Sequence, residues 1–188
     1  MTPSLTIIAG PNGSGKSTLA DLLLKEESLT RFINADILAK GLTGINKAAG
    51  EIEAGKIMLR QINDSINSLE SIAFETTLSG LIWKKTIKRA KDKGYQVNII
   101  FVTVSSAKLA FERVKKRVAE GGHFVPEEVV YRRYQRSREM FKFYRSMVNN
   151  WYVFDNSNSH SELIARKENG SPVVFLNNDK FLQLFGDH

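Results

Sequence analysis

One glycine-rich segment, residues 10–17, constrains the fold of this chain more than any other feature. It reads Gly-Pro-Asn-Gly-Ser-Gly-Lys-Ser and satisfies the pattern G-x-x-x-x-G-K-[ST]. The apolar run Leu5–Ala9 precedes it as a strand would, and residues 18–24 follow it with helical spacing. Glycines allow backbone N–H groups to surround a polyphosphate, and a helix that begins there adds the positive end of its dipole. The sequence therefore predicts a strand, a loop that binds a nucleoside triphosphate, and a helix.

The loop supplies a complete set of candidate nucleotide-binding residues. Lys16 is predicted to reach the β- and γ-phosphates, and the Ser17 hydroxyl to bind Mg²⁺. We therefore expect ATP and Mg²⁺ as cofactors. The candidate cofactor-binding residues are Gly10, Asn12, Gly13, Ser14, Gly15, Lys16, Ser17 and Thr18.

Composition excludes several other classes of function. The chain has 188 residues, a length for which one domain is the default. It has no cysteine, which excludes disulfides and thiolate metal sites and fits a reducing cytoplasm. No apolar run approaches the ~20 residues that cross a bilayer, and the N-terminus lacks the basic segment of a signal peptide. We expect a cytoplasmic protein without a membrane partner.

Strand and helix patterns alternate along the rest of the chain. The nearly unbroken apolar run at 97–104 is typical of a central parallel strand that is covered on both faces. The alternation predicts a three-layer α/β fold with a mostly parallel, five-stranded sheet and a C-terminal β-hairpin. Predicted strands after the first cover 32–34, 71–74, 97–104 and 151–154; predicted helices cover 47–69, 81–93, 107–120, 127–148 and 179–184; the hairpin strands are 163–165 and 173–175; residues 41–46 are a predicted loop.

Two carboxylates follow predicted strands at the edge where ligands bind in open parallel sheets. For Asp36, the alternatives are a helix cap or turn residue and a general base that takes a proton from an attacking hydroxyl. For Glu75, which Thr76 follows, they are a helix-start carboxylate and a ligand to substrate or to Mg²⁺-bound water. The spacing leaves open which acid is the general base and which is the ligand to substrate or to Mg²⁺-bound water.

A basic helical pair, residues 107–148, is interrupted at Gly121–Pro126. Arg113 and Arg117 precede the break, and Arg132, Arg133, Arg136 and Arg138 follow it. Such a pair is predicted to form a helical lid whose guanidinium groups meet the transferring phosphate, or alternatively a basic face exposed to water. His123, within the break, is predicted to pack or position the loop, because no carboxylate partner is evident.

These motifs together resemble the zeta-toxin-like P-loop kinases, particularly their small bacterial stand-alone members. The resemblance implies a fold related to nucleotide kinases, ATP and Mg²⁺ as cosubstrates, and UDP-N-acetylglucosamine as acceptor. It also implies that Asp36 is the general base, Lys16 the phosphate anchor, and Glu75 and Thr76 substrate contacts. The lid arginines implied are Arg117 and either Arg132 or Arg133. The matching segments, which span about four-fifths of the chain, are 8–18, 32–36, 74–80, 117, 121–126, 132–134 and 155–157.

The leading hypothesis is an ATP-dependent phosphotransferase that acts on a hydroxyl of a small acceptor such as a nucleotide sugar. One alternative is a kinase for the 5′-hydroxyl of a nucleic acid, which the formal charge of +7 favours slightly. Another is an ATP-binding toxin–antitoxin switch without turnover, in which an antitoxin protein is the partner. The pair of acids at the strand ends favours catalysis.

Overall fold

A single β-sheet lies at the centre of the computed structural model, which describes residues 2–25, 31–42 and 46–186. Within these ranges the sheet has the strand order β2-β3-β1-β4-β5-β6-β7. The first five strands of the chain pair in parallel, and β6 and β7 continue the sheet antiparallel. The strands are Ser4–Ala9 (β1), Phe32–Ile33 (β2), Ile72–Thr76 (β3), Gln96–Thr103 (β4), Asn150–Asp155 (β5), Glu162–Lys167 (β6) and Val174–Phe175 (β7).

Helices connect the parallel strands, as a parallel sheet requires. The alternation confirms the predicted α/β fold with a mostly parallel sheet. None of the helices described is long and apolar enough to cross a membrane. The helices are Lys16–Lys25 (α1), Ala35–Gly41 (α2), Lys47–Asn67 (α3), Trp83–Asp92 (α4), Ala107–Ala119 (α5), Glu127–Tyr144 (α6) and Asn178–Phe185 (α7).

The core explains why the central strands are so apolar. Val97, Ile99 and Phe101 on one face of β4 have no exposed surface, and Val102 on the other face is 1% exposed. Towards its carboxyl end the strand is therefore covered on both faces, as its nearly unbroken apolar run predicts. Phe101 stacks on Phe141 of α6, with ring centroids 4.6 Å apart, so the sheet and this helix share one core.

Two elements differ from the expectations. The predicted hairpin does not stand apart from the sheet: β6 pairs with β5, so the hairpin lengthens the parallel sheet by two strands. The second strand ends at Ile33, one residue before its predicted end, because the Asn34 side chain caps a short helix that begins at Ala35. Of the predicted loop at 41–46, residues 43–45 lie outside the described residues.

The strand order places one crevice at the centre of the sheet. β1 lies between β3 and β4, so the chain leaves β1 towards α1 with a neighbouring parallel strand on each side. Parallel α/β sheets bind ligands beyond the carboxyl ends of the strands at such a switch point. Residues 10–15 follow β1 at that edge, and Glu75 lies in register with Ile8, near the end of β3.

Candidate active site

The glycine-rich loop adopts a backbone that only glycine accommodates. Gly13 has φ of +76° and Gly15 has φ of +96°, values that L side chains rarely adopt. A Cβ atom on Gly13 would collide with the backbone carbonyl of Ala110, and one on Gly15 would collide with the Asn156 amide. The loop is therefore held between α5 and the segment after β5, with its shape fixed by close backbone contact.

Lys16 begins α1 and is held inside the loop. Its side chain is 6% exposed, and its Nζ donates to the Pro11 carbonyl at 2.8 Å. Burial lowers the pKa of Lys16 below its ordinary value, whereas the negative charges of Glu75 and Asp36 oppose that shift. A buried ammonium with incomplete neutralisation is suited to binding an anionic phosphate.

Glu75 connects three elements at the bottom of the crevice. Its Oε2 accepts hydrogen bonds from Ser17 Oγ at 2.8 Å and from Asn34 Nδ2 at 3.0 Å. Its Oε1 lies 3.7 Å from Lys16 Nζ. Because Glu75 lies within β3, its interpretation as a helix-start carboxylate is wrong. It instead ties the phosphate loop to the start of α2.

Asp36 lies in the first turn of α2, at the same edge of the sheet. Asn34 Oδ1 accepts hydrogen bonds from the backbone N–H groups of Asp36, at 2.8 Å, and Ile37, at 3.4 Å. Because Asn34 caps α2, the Asp36 carboxylate is not needed as the helix cap. The residue is exposed, and it lines the same cavity as Lys16.

This cavity has a volume of about 840 Å³ and brings together most of the predicted site residues. Gly10 and Ser14 do not line it, since both are buried within the loop. Arg132 does not line it either, because its side chain lies exposed on α6. The predicted residues along the cavity are Asn12, Gly13, Gly15, Lys16, Ser17, Thr18, Asp36, Glu75, Thr76, Arg117 and Arg133.

Arg133 and Arg117 approach the loop from the basic helical pair. Arg133 Nη1 donates to Asn12 Oδ1 at 3.3 Å. Burial lowers the pKa of Arg133, as does Arg132, while Asp36 and Glu51 raise it. Arg117 Nη2 donates to the His123 carbonyl at 3.0 Å, and its buried Nε has no partner in the described part of the chain. An unsatisfied buried N–H beside the glycine-rich loop fits a ligand that supplies the acceptor.

Sequence reasoning missed several residues of this cavity. His123 does have an acidic partner, since its Nε2 lies 3.6 Å from Glu51 Oε1 on α3. Arg113 lines the cavity, and only its i, i+4 spacing from Arg117 signalled it. Asn156 carried no signal beyond its place in a matching segment. No sequence signal identified the apolar wall of the cavity, which consists of Ile52, Met58, Leu59, Ile82 and Trp83.

The fold and the glycine loop together define a P-loop kinase-like domain. Residues 5–142 match the family model AAA_33, which is described as an AAA domain. The chain belongs to this family. An uncharacterized protein of Haemophilus influenzae is 31% identical over 125 residues, which cover 66% of this chain and 88% of that protein.

Solved structures share the fold at low sequence identity. A chain of the AvrRxo1-ORF1:-ORF2 complex with ATP matches 98% of this chain with a TM-score of 0.75 and 19% identity. This chain spans only 64% of the length of that one. A structure of the PezAT toxin–antitoxin system of Streptococcus pneumoniae matches all of this chain and 79% of its own, with a TM-score of 0.70 and 17% identity.

A third similar structure is the Pnkp1/Rnl/Hen1 RNA repair complex. It matches 76% of this chain and 46% of its own, with a TM-score of 0.62 and 18% identity. At these identities the likeness to solved structures shows the fold, and the site of this chain is argued from its own residues.

Proposed function

We propose that this chain is a zeta-toxin-like, ATP-dependent phosphotransferase that phosphorylates a hydroxyl of a small acceptor. A nucleotide sugar such as UDP-N-acetylglucosamine is the proposed acceptor, on the strength of the family resemblance. One observation carries the proposal: Asp36 and Lys16 line the same cavity, so a base and a phosphate anchor face one space. A domain that only held ATP would need no exposed carboxylate there.

The nucleotide is proposed to bind along the glycine loop. At Gly13 and Gly15 the loop leaves no room for a side chain. Backbone N–H groups can therefore approach phosphate oxygens. The buried Ser14 Oγ has no partner within the described ranges and is available to a further hydrogen bond. Lys16 supplies the fixed positive charge, and it binds an anion favourably because burial has already removed its water.

The residues beside Lys16 fit a magnesium ion. Ser17 Oγ and Glu75 Oε2 are hard oxygen donors 2.8 Å apart. Mg²⁺ in nucleotide sites is held by one or two such protein oxygens together with phosphates. When bound, the ion would neutralise charge that develops on the phosphate oxygens.

The transfer step is assigned to the chain's own side chains. Asp36 accepts the proton of the acceptor hydroxyl, the hydroxyl oxygen forms a bond to the γ-phosphorus, and the bond to the ADP oxygen breaks. Arg117 and Arg133, which line the same cavity, stabilise the charge on the transferring group. Residues 107–148 act as the lid that keeps water from this space.

The apolar wall supports a small acceptor over a polynucleotide. Trp83 is fixed there, since its Nε1 donates to Thr76 Oγ1 at 3.0 Å and its ring lies 4.4 Å from the ring of Phe74. Ile52 and Met58 line the same side. Such a surface favours an acceptor with apolar or ring surface, whereas nucleic acid binding is dominated by cations along the phosphate backbone.

The proposal is tested by incubating the protein with γ-labelled ATP and Mg²⁺ in the presence of candidate acceptors. The panel contains UDP-N-acetylglucosamine, UDP-glucose, simple sugars and a 5′-hydroxyl oligonucleotide. We expect label on a nucleotide sugar, with a rate that depends little on salt. Label on the oligonucleotide alone, with activity that falls steeply with salt, would replace the small acceptor by a nucleic acid. Tight ATP binding without label on any acceptor would refute the transferase.

A protein partner is part of the proposal. The AvrRxo1-ORF1:-ORF2 complex and the PezAT toxin–antitoxin system share this fold, so we propose an antitoxin as the partner of this chain. Expression of the chain with and without its neighbouring reading frame tests this. We expect growth inhibition that is relieved by the neighbour and a stable complex of the two proteins. Normal growth in the absence of the neighbour would contradict a toxic activity.

A further inference from the structure

The segment after β5 contacts the phosphate loop directly, and the proposed function does not use this contact. Asn156 Nδ2 donates to the Ser14 carbonyl at 2.8 Å. Its own backbone is fixed, since Asn156 N donates to the Thr103 carbonyl of β4 at 2.8 Å. The Asn156 amide also lies so close to Gly15 that any Cβ there would collide with it.

We infer that Asn156 is a positioning residue that orients the Gly15 N–H group as a phosphate donor. The Ser14 carbonyl and the Gly15 N–H belong to one trans, planar peptide unit, so they point in opposite directions. A hydrogen bond that holds the Ser14 carbonyl against Asn156 therefore fixes the direction of the Gly15 N–H, and Gly15 lines the cavity. The inference rests on the proposed nucleotide site.

The Gly15 N–H group is available for this task. No acceptor for it exists in residues 2–25, 31–42 and 46–186, whereas the Gly15 carbonyl already accepts from Leu19 N in α1. Gly15 takes a positive φ of +96°, a conformation in which the peptide on its N-terminal side can turn with little steric resistance. An outside contact is thus needed to fix that peptide, and Asn156 supplies it.

Arg113 extends the same connection to the basic helical pair. Its Nη1 donates to the Asn156 carbonyl at 2.6 Å, and its Nη2 donates to the Ser157 carbonyl at 3.1 Å. The planar guanidinium holds two consecutive carbonyls, which a lysine ammonium cannot do with the same geometry. Arg113 therefore fixes the segment from which Asn156 reaches Ser14.

The inference is tested by measuring the binding of ATP and of inorganic tripolyphosphate to the full chain by calorimetry. Asn156→Ala removes the donor, and Asn156→Leu removes it while filling a similar space with an apolar side chain. Because the hydrogen bond from the misdirected Gly15 N–H to a charged phosphate is lost, both variants are expected to bind both probes about 10- to 100-fold more weakly than wild type. Asn158→Ala is the control, since Asn158 is exposed and does not line the nucleotide cavity.

The Gly15 amide signal in a ¹H–¹⁵N spectrum separates positioning from general stability. Tripolyphosphate is expected to shift this signal in wild type and in Asn158→Ala, and to shift it far less in Asn156→Ala. Arg113→Lys is expected to weaken binding about 3- to 10-fold alone and to add little in the Asn156→Ala background, as coupled residues do. This variant also keeps the test available if Asn156→Ala fails to fold.

Two results would overturn the inference. One is wild-type affinity for tripolyphosphate in Asn156→Leu, which would reduce the Asn156 contact to packing. The other is full additivity of the losses in binding free energy that Arg113→Lys and Asn156→Ala cause.

Failure of the proposed function gives different results. A wild-type protein that binds neither probe has no nucleotide site, and one that binds both without transferring phosphate loses the transferase while Asn156 keeps its positioning role.

Discussion

Removing the charge of Glu75 is predicted to destabilise the protein in the absence of any nucleotide. Lys16 Nζ and Glu75 Oε1 are 3.7 Å apart, and the two side chains are only 6% and 12% exposed. Two unit charges at that separation attract each other by about 4.5 kcal/mol at an effective dielectric constant of about 20. Asp36 also interacts with Lys16, and Pro11 accepts its hydrogen bond, so part of the stabilisation survives the loss of Glu75.

A double-mutant cycle measures this interaction as a coupling energy. The variants are Glu75→Gln, Lys16→Met and the double variant, and the free energy of unfolding is measured in urea without ligand. We expect a coupling of about 1–3 kcal/mol, in the upper part of the range of about 0.5–3 kcal/mol found for residues in contact. The control cycle uses Arg31 and Glu70, whose nitrogen and oxygen are closer, at 2.7 Å, but whose side chains are 44% and 54% exposed.

The control separates burial from distance. An exposed pair is expected to couple by about 0.2–1 kcal/mol because water screens it and side-chain entropy opposes it. If the Lys16–Glu75 coupling is no larger than the Arg31–Glu70 coupling, the buried ion pair does not organise the site. Glu75 would then not hold Lys16 in position for a phosphate.

Three further predictions concern the loop and the arginines. Gly15→Ala is expected to abolish ATP binding in calorimetry, since a Cβ at φ +96° meets the Asn156 amide; wild-type affinity would contradict this. Burial lowers the pKa of Lys16 from its ordinary 10.5, and a phosphate binds the protonated form, so ATP affinity should fall as pH rises through that lowered pKa. Lys16→Met should lack this fall in affinity, and a wild-type ATP affinity that does not change with pH would refute the prediction. Arg133→Ala should reduce kcat about 100- to 1,000-fold, because it removes a charge from the cavity. Arg132→Ala should change kcat less than about 3-fold, as exposed substitutions do, and equal losses in both would contradict the assignment.

The sequence predicts the fold well because each signal has one dominant physical cause. A strand buried on both faces is almost continuously apolar, and the apolar run at 97–104 is interrupted only by Asn98 and Thr103. The glycine loop is recognisable because its backbone excludes side chains, which fixes residue types at given positions. The short helix after Asn34 was missed, since seven residues are too few to show a helical period.

The candidate site was predictable only in part. Lys16, Ser17 and Glu75 meet because the ends of adjacent parallel strands meet, which follows from the order of elements. The part of the apolar wall that lies on α3 was not predictable, since residues that line a cavity and residues that fill a core have the same helical spacing. Arg132 and Arg133 are neighbours in sequence, yet only Arg133 of the two lines the cavity. The sequence alone does not determine how α6 is rotated about its own axis.

Asp36→Asn, examined for ATP binding and for phosphoryl transfer in parallel, tests the role of Asp36 as the base most directly. The amide keeps the shape of the side chain and its place after the Asn34 cap, but it accepts no proton. We expect ATP affinity to stay within about 3-fold of wild type and kcat for the acceptor to fall at least about 100-fold, the contribution of a general base. Asp92→Asn, on the exposed face of α4, should change neither. A fully active Asp36→Asn variant would show that Asp36 is not the base.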